Sequence, residues 1–444
     1  MRNGEITKSD LKQFTRVYRE DPIKPRTAHA IAHSGLQAAS YRNDVLREIR
    51  PVFSIDIQTL PVTNQKASGR CWLFAALNLL REDIARQFNL EEFELSQNYL
   101  AFWDKFEKAN YFLENILDTL DEPTDGRLIS WLMTSYQDGG QWDMFINLIE
   151  KYGVVPKQAM PETFHSEATG PFNYIMNTKL RQDAAKLRRL YQEGAAPGEL
   201  AERKKEMIGE LFGTLCQCFG EPPEQFTWEF VDKDKNWNRF SDLTPQSFFS
   251  RFVTLPVADF VSIIHAPTKD KPFGKTFTVR YINNVVGGRP ILYLNMDMPD
   301  FKALVLKQLK DGRPVWFGSD VGHCGDREKG AWFQNLYDYE GVLGLDLTLN
   351  KEDGLDYRHN AMNHAMVLTG VNLEEGRPNR WKIENSWGDQ HGEKGYYIAC
   401  DGWFDQYVYQ AVIDKKYLSA DQLSALKEKP IYLDPWDPMG TLAF

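Results

Sequence analysis

Long hydrophobic runs are missing from this 444-residue chain. No stretch approaches the ~18 consecutive apolar residues of a bilayer span, so no membrane association is expected. The start, MRNGEITKSDLKQF, is charged where a secretory signal needs an apolar segment. Cysteine is scarce: five residues, an odd number, argue against a disulfide framework and for a reducing, cytosolic protein. Positive charge is also short. Lys and Arg number 52 against 62 Asp and Glu, a balance of −10 with a pI near 5.5. That argues against holding phosphate backbones by bulk charge and leaves nucleic acid unsupported as a partner. Repeats and low-complexity tracts are absent. Metal-ligand spacing is absent too: Cys216 and Cys218 form C-x-C, and His323 stands beside Cys324, but neither pair has a third and fourth ligand at a known spacing. No metal and no cofactor is expected. His29, His33, His165, His265, His359 and His391 read as surface or packing residues.

The chain does have a globular composition, 42% apolar and 13% aromatic, at about three times the ~150 residues of a typical domain. Residues 1–58 mix polar and Pro-containing pieces such as DPIKPRTAHA and read as an arm over a core that begins near Thr59. From Cys71, Leu77, Leu80, Ile84 and Phe88 recur at helical spacing, and the preceding NQKASGR is turn-like. Further amphipathic helical zones run over 99–136 and over 179–219, the latter interrupted by GAAPG at 194–198. After about Phe273 the pattern turns to strands: KTFTVRYINN, RPILYLNM, RPVWFGSDV, HAMVLTGV, RWKIENSW and GYYIAC lie between Gly, Asn and Pro turns. Helices first and strands afterwards favour an α+β fold over alternating α/β. Arg203, Lys204 and Lys205, between Glu202 and Glu206, read as a solvated helix face.

The functional signal begins at Cys71. A thiol is a poor nucleophile until it ionises, and a helix N-terminus favours the thiolate. Thiolate chemistry on acyl groups also needs a base, a group that orients the base, and donors for the oxyanion. His364 opens the apolar strand NHAMVLTGV, where a neutral imidazole could face a cleft, and Asn385 ends the next strand in WKIENSWG, two residues before Trp387. Gln65, six residues ahead of Cys71, can offer a side-chain N–H to the oxyanion beside the Cys71 backbone N–H.

This set resembles the papain-like cysteine peptidases, whose site is Cys, His and Asn in that chain order with a Gln ahead of the Cys. Four short motifs agree in order: Q-x5-C-W, the Gly139–Gly140 pair in QDGGQWDM, N-H-A, and N-S-W-G. The usual C-G-S-C-W reads Ser68-Gly69-Arg70-Cys71-Trp72 here, without the disulfide-forming first cysteine, which agrees with a cytosolic site. The separation from Cys71 to His364 is 293 residues, against roughly 130 to 150 in ordinary members, so about 150 residues are inserted. SGRCWLFA, DGGQWDM, PVWFGSDVG, IENSWG and the terminal PWDPMG are similar to the bleomycin hydrolase and aminopeptidase C family, over nearly the whole chain.

The resemblance implies a two-lobed core: a helical lobe (59–150, with a helical insertion at about 99–136), a mainly helical insertion (151–272), a β-barrel-like lobe (273–430) and a C-terminal arm (431–444) that enters the active site. It implies Cys71 as nucleophile, His364 as base, Asn385 as its orienter and Gln65 as oxyanion donor. Gly139 and Gly140 would line the substrate cleft, and Trp387 would shield the His364–Asn385 hydrogen bond. Ala443 or Phe444 would form the terminus that meets the substrate's α-ammonium group. Peptide substrates and a homohexamer with inward-facing sites are implied, with amidase activity like that of bleomycin hydrolase. The competing class is a non-catalytic scaffold on the same fold that binds peptide or nucleic acid.

Overall fold

The computed structural model describes residues 4–443. The helical lobe is organised around the buried helix Cys71–Gln87, which packs on Gln97–Asp118 and Trp142–Tyr152. The two 23-residue helices Gly170–Gln192 and Pro197–Phe219 form a hairpin against Gln97–Asp118, each with proline in its first turn, where a missing N–H costs nothing. The break between them falls in the GAAPG segment, as the glycines and proline require.

The second lobe is built on one mixed sheet. Its strands run in the order Ile431–Leu433, Thr276–Val279, Tyr293–Asn295, Phe260–Ile264, Val408–Asp414, Val315–Ser319, His364–Glu374, Arg377–Glu384, Tyr396–Cys400, Ala331–Trp332 and Gly325–Asp326. Ile55–Asp56 adds to the His364 strand from outside this path. The register sets His364 opposite Ser319 and Ala365 opposite Gly318, which puts the histidine at the sheet's end facing the helical lobe. Helix content before sheet content makes the fold α+β.

Two local expectations change. Strands begin before Phe273: Phe260–Ile264 is an interior strand paired with Val408–Asp414, and Phe226–Val231 pairs with Trp237–Leu243 in the zone read as mainly helical. FVSII is short and almost wholly buried, so it carries no alternation that marks a strand. Within residues 1–58, DPIKPRTAHA contains the start of a helix, Lys24–Ser34, because Pro25 occupies the first turn.

The lobes meet beside Cys71. The Trp316 indole donates to the Trp72 carbonyl at 3.2 Å. Arg81, on the Cys71 helix, pairs at 3.0 Å with Glu384, the residue before Asn385, and both are buried. Asn78 also donates to Glu384 at 2.8 Å. A charge pair buried this deeply is costly to break from one side, since the remaining charge has no water to replace its partner.

Candidate active site

Cys71 is the first residue of its helix, and the turn before it is folded tightly. Gly69 donates its N–H to Asp138 at 2.9 Å, and a Cβ at Gly69 would stand 2.6 Å from that of Asp138, so only glycine fits. Arg70 is tied to Glu162 at 2.9 Å. The Cys71 thiol, 5% exposed, accepts the Ala365 N–H at 3.5 Å, and this contact sets the sulfur beside His364.

His364 Nε2 lies 2.8 Å from Asn385 Oδ1. The Ser386 N–H also donates to that oxygen at 2.8 Å, which fixes the amide with its oxygen toward the ring. An acceptor there selects the Nε2–H tautomer and leaves Nδ1 free to take a proton from sulfur. The Trp387 ring stacks on His364 at 4.8 Å between centroids, and the Arg327 guanidinium lies over the Trp387 ring at 4.9 Å. Gln65 is buried close by. Its Nε2 donates to the Ser68 carbonyl at 2.6 Å and its Oε1 accepts from Ser386 at 2.6 Å, which leaves one amide N–H unassigned.

Gly140 lies against Trp72, where a Cβ would come within 2.4 Å of the indole, and Trp72 Nε1 donates to the Asp138 carbonyl at 2.8 Å. Lys108 donates to the Gly139 carbonyl. From the other side comes the C-terminal segment: Thr441 donates to the Met362 carbonyl at 2.9 Å, two residues before His364, and Leu442 packs near Gly318. Ala443 is buried and lines a cavity with Lys108, Tyr111, Trp131 and Tyr281. Phe444 lies outside the described residues.

The structure thus brings together Gln65, Cys71, His364, Asn385 and Trp387, sets Gly140 against Trp72 next to Cys71, and places Gly139 and Ala443 on either side of Lys108. Sequence reasoning missed the residues that hold these in place. Asp138 accepts hydrogen bonds from Gly69, Thr169 and Asn173 and pairs with Lys105; burial opposes its charge, and these partners outweigh burial and hold the carboxyl below the usual range. Asp320 anchors the loop ahead of His364 through Ala361 N–H at 2.8 Å and Asn363 Nδ2 at 2.8 Å, with His323 3.3 Å away. The aspartate beside the glycine pair was the one local signal available for Asp138. Asp320 and Glu384 fall inside PVWFGSDVG and IENSWG, but no local pattern points to their hydrogen-bond or charge partners, and Arg81 carries no signal. Among the described residues no group of three or more His, Cys, Asp or Glu could hold a metal ion.

The sequence predicts a lowered thiol pKa and a raised imidazole pKa. In the closed cleft, burial pushes the Cys71 thiol up to about 11, against the Ala365 and Trp72 amides that favour the thiolate, and pushes His364 down to about 4 against its Asn385 hydrogen bond. Both directions keep a lone charge out of the cavity. One proton passing from sulfur to the ring creates opposite charges together, and each then compensates the other. Thiol with imidazole and thiolate with imidazolium carry the same number of protons, so the active form is the pair with one proton. The expected kcat/KM profile is therefore bell-shaped: it falls at low pH, where His364 takes a second proton, and at high pH, where the last proton leaves. A pH–rate series on wild type and His364→Gln checks this: without the imidazole the bell is lost, and the variant's residual rate rises with pH as the lone thiol ionises.

Asn385→Ala should leave the thiol in place and free the imidazole to rotate. One neutral hydrogen bond contributes only ~0.5 to 1.5 kcal/mol to stability. Correctly placed proton transfer contributes about a hundredfold or more to rate. Turnover should thus fall far more than the melting temperature, and paired kinetic and thermal measurements on the variant check it.

Comparison with known proteins agrees with this geometry. The model of the Peptidase C1-like family matches residues 5–440. Aminopeptidase C of Listeria monocytogenes is 46% identical over 440 residues, covering 99% of each chain. Bleomycin hydrolase of Homo sapiens is 44% identical over 392 residues, 86% of each. The crystal structure of pepw from Lactobacillus rhamnosis superposes with a TM-score of 0.97 at 48% identity, covering 98% of this chain and 99% of that one. A family match over nearly the full length, on a fold that assembles Cys71, His364 and Asn385 at one cleft, shows that this chain belongs to the Peptidase C1-like family.

Proposed function

We propose that the chain is a cysteine aminopeptidase that removes amino-terminal residues from peptides, with bleomycin hydrolase-like amide hydrolysis at the same site. The observation that carries the reading is the Cys71 thiol against Ala365, with the adjacent His364 held by Asn385 at 2.8 Å. His364 takes the thiol proton, and sulfur attacks the scissile carbonyl carbon. The oxyanion is met by the Cys71 N–H and the free N–H of Gln65. The imidazolium then protonates the leaving amine and the C–N bond breaks. In the second half, His364 takes a proton from water, the hydroxide attacks the thioester, and the acid leaves as sulfur regains its proton. A scaffold without turnover is the weaker reading, because it leaves this assembled set without a use.

The exopeptidase part rests on the C-terminal arm. Thr441 to Ala443 run past the His364 strand, so the chain end can occupy the non-primed side of the cleft, where its carboxylate meets the substrate's ammonium group and blocks a longer chain. The test is a peptide mixture with free and acetylated N-termini, read by mass spectrometry. Single-residue shortening of the free peptides alone supports the reading; internal cleavage of the acetylated ones by the intact enzyme opposes it.

A homohexamer and a cytosolic location complete the proposal. All five cysteines are unpaired, as a reducing compartment allows. Among the described residues no helix is long and apolar enough to cross a membrane. The helix Lys8–Glu20 has no buried residue and exposes Leu11, Phe14, Val17 and Tyr18, an apolar stripe suited to a second copy. Size-exclusion chromatography with light scattering should give about six times 51.3 kDa. A monomer at micromolar concentration opposes it.

A further inference from the structure

The arm is pinned well before it reaches the cleft. Lys271 is almost wholly buried, and its ammonium lies 2.8 Å from Asp437 Oδ2 and 2.9 Å from Asp270 Oδ2, with Thr268 Oγ1 at 3.3 Å. Its backbone is fixed in turn, since Asn295 donates to the Lys271 carbonyl at 2.7 Å. Asp437 uses its other oxygen within the arm, accepting the Met439 N–H at 2.9 Å, while its carbonyl accepts the Gly440 N–H at 3.0 Å. Tyr293 adds a hydrogen bond to the Met439 carbonyl at 3.1 Å. One carboxylate therefore shapes the turn and fastens it to the β lobe.

We propose that the Lys271–Asp437 pair is a specificity-determining anchor: it sets the path of the arm through Leu442 and Ala443, and through that decides between removal of amino-terminal residues and internal cleavage. The inference rests on the arm reading given under Proposed function. The arm continues from Asp437 as a six-residue 3₁₀ segment, Pro438–Ala443. At a rise of about 2 Å per residue such a segment is about 12 Å long, so a small tilt at its base is a large displacement at its tip. Gly440 passes the terminal methyl of Ile282 so closely that a Cβ would come within 2.4 Å of it. Lys271 and Asp437 are positioning residues: they act through the terminus and touch no reacting atom.

The test uses full-length Asp437→Asn, Lys271→Met and Lys271→Arg, with a deletion of 440–444 as reference. Each is assayed on an aminoacyl amide and on an N-acetylated peptide, after titration of the reactive thiol. Loss of a charge-assisted contact should raise KM for the amide about tenfold while kcat changes less. Internal fragments should appear from the acetylated peptide, and Lys271→Arg should retain most of the wild-type preference. Folded variants with wild-type KM that still ignore the acetylated peptide overturn the anchor, provided the deletion cleaves it. If the deletion also ignores that peptide, the arm reading falls and the anchor falls with it. If Asp437→Asn fails to fold where the deletion folds, the pair serves the fold, and the specificity role is lost.

Discussion

Cys71→Ala removes hydrolysis of aminoacyl amides, with kcat down on the order of 10⁴- to 10⁶-fold. The size follows from the chemistry: without sulfur no thioester forms, and what remains is the rate that binding and the oxyanion donors give to direct attack by water. The fold should be indifferent to the change. Cys71 is the first residue of a 17-residue helix, alanine is the best helix former, and the thiol is met only by weak backbone contacts, from the Ala365 N–H at 3.5 Å and the Trp72 amide. The variant should melt within a few degrees of wild type and still bind peptides. This contrast separates the enzyme from the scaffold, since a binding protein on this fold loses nothing when one sulfur is removed. Steady-state assays and thermal melts on the same preparation make the comparison, and full activity in Cys71→Ala would sink the assignment.

What could be read in the sequence was whatever a short window holds. SGRCW places a thiol at a helix start because the turn residues and the first helical turn are adjacent. NHAMVLTGV and WKIENSW each carry one reactive side chain at the end of one strand. Their pairing needed only the antiparallel register of His364–Glu374 with Arg377–Glu384, which sets Val367 opposite Glu384 and so carries Asn385 toward His364. The supporting shell was not legible. Arg81 and Glu384 are 303 positions apart, and Lys271 and Asp437 are 166 apart; Glu384 and Asp437 fall inside IENSWG and PWDPMG, but nothing in those windows points to their partners. Buried ion pairs of this kind are joined by the tertiary fold alone. Asp320 is similar: its hydrogen bonds go to Ala361 and Asn363, in a loop whose path no local pattern fixes.

Deleting 440–444 should turn the enzyme from one that trims amino termini into one that cuts inside chains. Pro435 and Pro438 stop the arm from coiling into a longer helix, and within 440–443 Gly440, Leu442 and Ala443 are buried. Removing them exposes the surface under Leu442 and costs about 2 kcal/mol of burial, a modest loss for a domain of this size. Three effects on function follow. The substrate's ammonium loses its partner carboxylate, so kcat/KM for aminoacyl amides drops by about tenfold or more. The non-primed side becomes free, so N-acetylated peptides are cut internally. Water also reaches a thiol that burial pushes up to about 11, so its pKa falls and alkylation of Cys71 at neutral pH speeds up. Mass spectrometry of acetylated peptide digests and iodoacetamide kinetics on the truncated protein read the last two directly. A truncated enzyme that still removes only single amino-terminal residues, ignores acetylated substrates and alkylates at the wild-type rate shows that the arm neither covers the thiol nor selects the substrate.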